Sequence, residues 1–143
     1  MGTFKPQHPE KYKGKLLKII YRSSWELRLM LWLDKHPDIL TWSSESVVVL
    51  YHYPPGHMRR YFPDFLVTRT GKDGIVETVM VEVKPEIQTL PPKPPRDGRG
   101  KSRYLNEMVT FTKNQAKWQA AEAYCSKRGW RFMLMTERNL GLK

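Results

Sequence analysis

Two short stretches decide the fold, and they read Arg60-Tyr61-Phe62-Pro63-Asp64-Phe65-Leu66-Val67 and Val79-Met80-Val81-Glu82-Val83-Lys84. Each is rich in β-branched and aromatic residues, which is typical of a half-buried strand. Residues 70–74 between them form a turn signal with two glycines, so we expect a hairpin with strands over about 60–69 and 75–84. A turn centred near Lys72 and Asp73 places Asp64 opposite Met80 or Val81, and therefore close to Glu82.

Charged residues inside these strands point to a site. A charge in a half-buried strand is costly unless it is paired or bound to a metal. Side chains alternate between the faces of a strand, so Glu82 and Lys84 are predicted to share one face. The hairpin would then gather Asp64, Glu82 and Lys84 at one end of a sheet, as in an active site. The plainer interpretation is a surface ion pair between Glu82 and Lys84, with Asp64 at a strand end.

The composition narrows the class of partner. The chain has 143 residues, 40% of them hydrophobic, so we expect a single domain over residues 1–143. It carries 25 Lys and Arg against 14 Asp and Glu, a formal net charge of +11, which favours nucleic acid over other partners. The one cysteine, Cys125, excludes an intrachain disulfide and is expected to be buried. No stretch has the length of a membrane span, so we expect an intracellular protein without a membrane partner.

The other predicted elements complete an α/β domain. A basic N-terminal arm covers about residues 1–18 and is either solvated or in contact with phosphates. A helix begins at Ser23 or Ser24 and ends near His36, because the residue before Pro37 disfavours helix, and its core-facing stripe is Trp25, Leu29, Trp32 and Leu33. We expect a connection over residues 38–44 and a strand over residues 46–53, interior to the sheet because it is uniformly apolar.

The second half of the chain continues the pattern. Residues of about 85–102 form a Pro-rich basic loop, either a flap over a nucleic-acid backbone or a solvated linker. A helix is predicted from Arg103 to about Arg128, ended by Gly129, and a last strand over residues 130–136. The order of helix, three strands, helix and strand favours a central mixed β-sheet flanked by helices.

The charged cluster suits phosphodiester hydrolysis. Asp64 and Glu82 could hold Mg²⁺, which binds one or two carboxylates plus water and phosphate oxygens, and Mn²⁺ could substitute. Lys84 could orient the attacking water or neutralise the phosphate. Glu26 has two interpretations: in Ser23-Ser24-Trp25-Glu26 it completes a capping box, or it supplies a third metal ligand. The four histidines and the cysteine lack zinc-ligand spacing, and no Gly-rich loop for a nucleotide cofactor is present.

Basic residues near these elements are the candidate DNA contacts. Two Arg beside a loop His suggest phosphate contacts, and a lysine one turn after Asn114 lies on the second helix, although a solvated helix face is the default for it. The candidate DNA-binding residues are Arg22, His57, Arg59, Arg60, Lys93 and Lys117. Because no recognition helix with paired base-reading side chains is visible, we expect weak sequence preference.

The motifs Pro63-Asp64 and Glu82-Val83-Lys84 resemble those of the PD-(D/E)xK nuclease superfamily. Over nearly the whole chain, the sequence is similar to the head completion nucleases of T4-type tailed bacteriophages. That similarity is carried by residues 11–14, 20–26, 60–65, 81–85, 91–93 and 113–118. The resemblance implies a restriction-endonuclease-like core, an Mg²⁺-dependent DNA endonuclease with catalytic residues Glu26, Asp64, Glu82 and Lys84, and a metal site formed by Glu26, Asp64 and Glu82.

The resemblance also implies a biological setting. It predicts action in phage head completion after DNA packaging, with head, portal or neck proteins as partners, in the host cytoplasm during assembly or on the virion. An alternative is a structural protein that caps the portal and holds the DNA end, with an inactive or dispensable nuclease site. A general DNA-binding module without a role in the virion is a third interpretation.

Overall fold

A four-stranded mixed sheet forms the centre of the molecule, as seen in a computed structural model that describes residues 1–141. The strands are β1 (Gly2–Thr3), β2 (Ile20–Tyr21), β3 (Ile39–Ser44), β4 (Val49–His52), β5 (Met58–Tyr61), β6 (Phe65–Thr70), β7 (Val76–Val83) and β8 (Arg131–Met135), and the helices are α1 (Ser24–Lys35) and α2 (Lys101–Arg128). Short 3-10 turns cover Pro9–Lys11, Leu16–Lys18 and Glu86–Thr89. The central sheet has the order β3-β6-β7-β8, in which only β7 and β8 are parallel. None of the described helices has the length and apolar character required to cross a membrane.

The two helices cover opposite faces of the sheet, so the predicted mixed sheet flanked by helices is confirmed. On one face, Leu29, Met30 and Leu33 of α1 pack against the apolar side chains of β6 and β7. On the other face, Trp118, Ala121 and Cys125 of α2 pack against Met80. Strand alternation explains the division, because Val79 and Val81 face α1 while Met80 and Glu82 face α2.

The predicted hairpin is present but begins later than expected. β6 pairs with β7 from Phe65 opposite Val81 to Thr70 opposite Val76. The single strand predicted over residues 60–69 is wrong, because the chain leaves one sheet after Tyr61 and enters another at Phe65. Pro63 lies in the break, and its missing N–H cannot contribute to a ladder.

Two other strand predictions are also wrong. Residues 38–44 are not a connection: β3 is an edge strand of the central sheet, paired with β6 and carrying the buried Trp42. The strand predicted over residues 46–53 is not interior to that sheet. It is β4, in a separate two-stranded ribbon with β5, where Val49 and Tyr51 are buried while Leu50 is 54% exposed. The apolar residues of this strand therefore lie on both of its faces, one of which is buried and the other exposed.

Both helices were placed correctly, with differences in detail. Ser23 caps α1, and Gly129 ends α2 in the left-handed conformation with φ of 70°. Trp32 is 47% exposed, with its ring on His36, and Met30 takes its place in the core. In α2 the buried residues all lie between Asn114 and Cys125, whereas Leu105 and Val109 are exposed. The part of α2 before Asn114 therefore extends past the sheet.

The N-terminal arm is partly structural. β1 pairs with β2, and Phe4 is buried in the α1 side of the core. The buried carboxylate of Asp34 accepts hydrogen bonds from the backbone N–H groups of Gln7 and His8, at 2.8 and 3.0 Å. The remaining lysines of the arm, Lys5, Lys13, Lys15 and Lys18, are exposed, so both the solvated and the phosphate-binding interpretations apply to them.

Candidate active site

Asp64 and Glu82 lie side by side at the end of the central sheet. Because Phe65 pairs with Val81, Asp64 falls opposite Glu82, one or two residues from the predicted position and on the face covered by α2. Asp64 Oδ2 accepts a hydrogen bond from the Val83 N–H at 2.8 Å, and the Asp64 N–H donates to Glu82 Oε1 at 3.3 Å. These two bonds hold the carboxylates together at the point where β6 begins.

The negative charges of the Asp64 and Glu82 carboxylates are only partly balanced by nearby positive charge. Burial, then the neighbouring Glu82 carboxylate, raises the pKa of Asp64 to about 8, and the charge of Glu26 adds to this rise. Burial also raises the pKa of Glu82, which is only 6% exposed. The Lys84 ammonium opposes both shifts, but its Nζ lies 4.0 Å from Glu82 Oε2, at the outer limit of an ion pair. A divalent cation would relieve this imbalance.

Glu26 caps its helix and also lies close enough to Asp64 to affect it. Its N–H donates to Ser23 Oγ at 3.1 Å, and its Oε2 accepts from the Arg22 N–H at 2.9 Å. This is the capping interpretation, except that the donor is the N–H of Arg22, one residue before the usual donor at the N-cap Ser23. Its charge nevertheless raises the pKa of Asp64. Glu26 is therefore a helix cap whose charge reaches Asp64, and its role as a third metal ligand stays a prediction.

The donor set suits Mg²⁺ rather than zinc. Within residues 1–141, no group of three or more His, Cys, Asp or Glu side chains is placed to hold a metal ion. The structure thus brings Asp64 and Glu82 together but does not add Glu26 as a third close neighbour. Mg²⁺ commonly takes one or two carboxylates and completes its shell with water and substrate phosphate, so the Asp64–Glu82 pair fits that ion.

Helix α2 and the β4–β5 ribbon bring two further residues to the site: Tyr61, which the sequence did not single out, and Lys117, a candidate DNA contact. The buried Tyr61 hydroxyl lies beside Glu82 yet meets no partner with hydrogen-bond geometry within residues 1–141. Burial, followed by the charge of Glu82, raises the pKa of Tyr61. Lys117 Nζ lies 5.6 Å from the ring centre of Tyr61 and 5.9 Å from that of Tyr51. Burial lowers the pKa of Lys117, and the charges of Lys113 and Lys84 lower it further. Lys117 therefore lies at the site, with its ammonium over two aromatic rings.

The other candidate DNA contacts are distributed around the molecule. His57 is in the turn of the ribbon, and Arg59 and Arg60 follow on β5. The Arg59 Nε donates to the Tyr53 carbonyl at 2.5 Å, and Arg22 forms an ion pair with Glu45. Glu45 is a second residue that sequence reasoning missed, since a glutamate after a polar strand gives no local signal.

Lys93 lines a cleft between the Pro-rich loop and the first half of α2. The cleft has a volume of about 690 Å³ and extends to Asn114, which is 6% exposed and one turn before Lys117. Apolar residues of the loop form one wall, with Ile87, Leu90, Pro91 and Pro92, and the other wall includes Arg103 and Phe111 of α2. The loop therefore lies against the helix as a wall of this cleft.

A carboxylate at the start of one strand, a buried carboxylate on the next strand and a lysine two positions further on form the arrangement of a nuclease with a restriction-endonuclease-like core. The family described as TnsA-like endonuclease, N terminal, matches residues 36–137. The chain is also 39% identical over 148 aligned residues to the head completion nuclease of Enterobacteria phage T4, covering 99% of this chain and 96% of the phage protein. The chain therefore belongs to the family of that nuclease, which confirms the resemblance seen in the sequence.

Proposed function

We propose that this chain is an Mg²⁺-dependent endodeoxyribonuclease with its active site at Asp64, Glu82 and Lys84, supported by Glu26. The observation that carries the proposal is the Asp64–Glu82 pair, a half-buried and a buried carboxylate held together by hydrogen bonds to backbone N–H groups, with the Lys84 ammonium 4.0 Å from Glu82. No packing contact requires two acidic groups there. Their raised pKa values mean that ionising both carboxyl groups costs the folded state free energy. Such an arrangement is favoured by the function of the site rather than by stability.

Each of these residues would have a distinct role in hydrolysis. When bound to the carboxylates, Mg²⁺ supplies Lewis-acid activation of the scissile phosphate and of a water molecule. The Val83 N–H donates to Asp64 Oδ2 and fixes the orientation of this carboxylate, and Asp64 and Glu82 are the residues that would hold the ion. Lys84, on the same face as Glu82, is placed to orient the attacking water or to offset charge on the phosphate. Lys117 provides a second ammonium from α2, 5.6 Å from the ring centre of Tyr61.

DNA is the proposed substrate, and charge supports it. The net charge of +11 gives a general attraction to phosphates. Arg22, His57, Arg59, Arg60, Lys93 and Lys117 are the proposed contacts. Because these are mostly Lys and Arg suited to phosphates rather than a helix aimed at base edges, we propose cleavage with weak sequence preference.

The setting we propose is that of the phage relative. A protein named as a head completion nuclease matches this chain along its whole length. We therefore propose that the chain acts during head completion, after DNA packaging and in the host cytoplasm, in contact with head, portal or neck proteins.

The test is cleavage of supercoiled and branched DNA by the wild-type chain and by Asp64→Asn, with Mg²⁺, with Mn²⁺ and with EDTA. We expect cleavage that requires the divalent ion and is lost in Asp64→Asn, because one of two ion ligands is removed. Asp38→Asn is the matched control, since its carboxylate is exposed at the start of β3, and it should cleave as the wild type does. A folded wild-type chain that cleaves no DNA form would favour the structural, portal-capping alternative.

A further inference from the structure

Glu45 has an unusual backbone conformation just after β3. Its φ is 50°, in the left-handed region, and no other residue except glycine has a positive φ within residues 1–141. This region is strained for residues with a Cβ, and those that adopt it are mostly asparagine, aspartate or histidine. A strained residue next to a candidate active site suggests that its side chain has a task there.

Glu45 contacts both sides of the candidate metal site. Its N–H donates to the carbonyl oxygen of Asp64 at 3.0 Å, while its carboxylate forms an ion pair with the Arg22 guanidinium. The Arg22 N–H in turn donates to Glu26 Oε2 at 2.9 Å. A chain of contacts thus runs from Asp64 through Glu45 and Arg22 to Glu26, joining the start of β6 to the start of α1.

Stability does not explain the ion pair. The side chain of Arg22 is 55% exposed and that of Glu45 is 35% exposed, and ion pairs in such positions contribute little because solvent screens them. The left-handed backbone of Glu45 is itself unfavourable. The pair does connect the segment just before α1 to Glu45, whose N–H contacts Asp64.

We propose that Glu45 is a positioning residue of the nuclease site, which acts through Arg22 to hold Glu26 close to the Asp64–Glu82 pair. The inference rests on the proposed metal site, because the position of Glu26 matters to the reaction only if Glu26 serves that site. Glu45 acts through its neighbours, and the reaction itself takes place at Asp64, Glu82 and Lys84.

Two substitutions distinguish the effect of the Glu45 backbone conformation from the effect of its side chain. Glu45→Gly relieves the left-handed strain and removes the carboxylate, whereas Glu45→Gln keeps the length and removes the charge. Glu77→Gln is the matched control: Glu77 is 36% exposed and paired with Arg131 at 2.9 Å, but it lies five residues from Glu82, toward the other end of β7. Each variant is titrated with MgCl₂ by calorimetry without DNA, and kcat and KM are then measured on supercoiled plasmid.

We expect both Glu45 variants to bind Mg²⁺ about 10-fold more weakly, since substitutions that disturb the support of metal ligands commonly have effects of this size. The kcat should fall at a fixed Mg²⁺ concentration, with KM for DNA unchanged. The melting temperature of Glu45→Gly should be no lower than that of the wild type, and Glu77→Gln should match the wild type in Mg²⁺ binding and in cleavage. Adding Arg22→Gln to Glu45→Gln should cause no further loss of Mg²⁺ affinity, because the two residues act as one unit.

The outcomes distinguish this inference from the proposed function. If both Glu45 variants bind Mg²⁺ as the wild type does while Asp64→Asn does not bind it, the positioning role is overturned and the metal site stands. If Glu45→Gly melts early and binds weakly while Glu45→Gln is normal, the role of Glu45 is purely structural and the inference fails. A wild-type chain that binds no Mg²⁺ overturns the metal site, and the positioning role with it.

Discussion

At the scale of single residues, the Asp64–Glu82 pair costs the folded protein free energy. Two carboxylates in a poorly solvated position repel each other and lose hydration, and the two backbone N–H donors offset only part of that cost. Natural proteins tolerate such costs at functional sites. The cost has a measurable consequence for stability as a function of pH.

Asp64→Asn is expected to stabilise the metal-free protein at high pH. The pKa of Asp64 is raised to about 8 when folded, whereas an aspartate in an unfolded chain ionises near about pH 4. Between these values the folded state binds more protons, so the wild-type chain loses stability as pH rises through the window. In EDTA, Asp64→Asn should therefore melt at a higher temperature than the wild type at about pH 8.5, and the gap should close toward about pH 4.

Calorimetric melting from pH 4 to pH 9 measures this gap, with Asp38→Asn as the control for loss of an exposed carboxylate. A gap between Asp64→Asn and the wild type that is the same at every pH would contradict the prediction. It would mean that the substitution acts through packing and not through ionisation.

Sequence reasoning predicted the charged residues of the candidate site but not the neighbouring residues that contact them. Asp64, Glu82 and Lys84 could be predicted because strand alternation and the length of one hairpin are local properties of the sequence. Tyr61 and Glu45 could not, because their roles depend on packing against α2 and on an ion pair with Arg22, 23 residues away. A tyrosine in a strand and a glutamate after one carry no distinguishing signal.

At the scale of elements, the β4–β5 ribbon places two adjacent arginines, Arg59 and Arg60, on opposite faces. Tyr51 pairs with Arg59, and Val49 with Tyr61, so Arg59 lies on the face of the ribbon that bears Tyr51 and Tyr61. Lys117 approaches that same face. Arg60 lies on the opposite face with the exposed Leu50. The alternation of the ribbon therefore turns Arg59, and not Arg60, toward the candidate active site.

Arg59→Ala should weaken DNA binding more than Arg60→Ala does. Loss of one phosphate contact reduces the slope of log K against log salt by about 0.9 on duplex DNA, and we expect that change for Arg59→Ala across unrelated sequences. Binding is measured by fluorescence anisotropy at several salt concentrations, with Ca²⁺ in place of Mg²⁺. Arg60→Ala is the matched comparison, because Arg60 is also a proposed contact and the same residue type, but lies on the other face of the ribbon. A larger effect at Arg60 would place the DNA on the outer face of the ribbon.

The elements that the sequence misassigned depend on distant partners. β3 contains Thr41, Ser43 and Ser44, and it is a strand because β6 pairs with it about 25 residues later. β4 was misplaced because an apolar run does not reveal which sheet it joins, and only pairing with β5 decides this. The helices were predictable because their caps and their 3.6-residue periodicity are local.

At the scale of the whole molecule, the sheet end, the ribbon and α2 converge on one region. Asp64 and Glu82 come from the sheet, Tyr61 from the ribbon and Lys117 from α2. Helix α2 belongs to the crossover between the parallel strands β7 and β8. Glu82 lies on the sheet and Lys117 on the helix that packs against it. A ligand bound at the carboxylates should thus stabilise the entire domain, because its binding residues come from several elements that pack together.

Mg²⁺ is therefore expected to raise the melting temperature of the wild-type chain. A ligand that binds only the folded state stabilises it by RT ln(1 + [L]/Kd), about 2.7 kcal/mol at 100 times Kd, which corresponds to several degrees in a domain of this size. The measurement is thermal unfolding at pH 8 without DNA, with MgCl₂ compared against NaCl of equal ionic strength. The double variant Asp64→Asn, Glu82→Gln should show no difference between the two salts, because it lacks both carboxylates. An equal rise in the double variant would mean that Mg²⁺ acts elsewhere on the surface and that the carboxylate pair does not bind it.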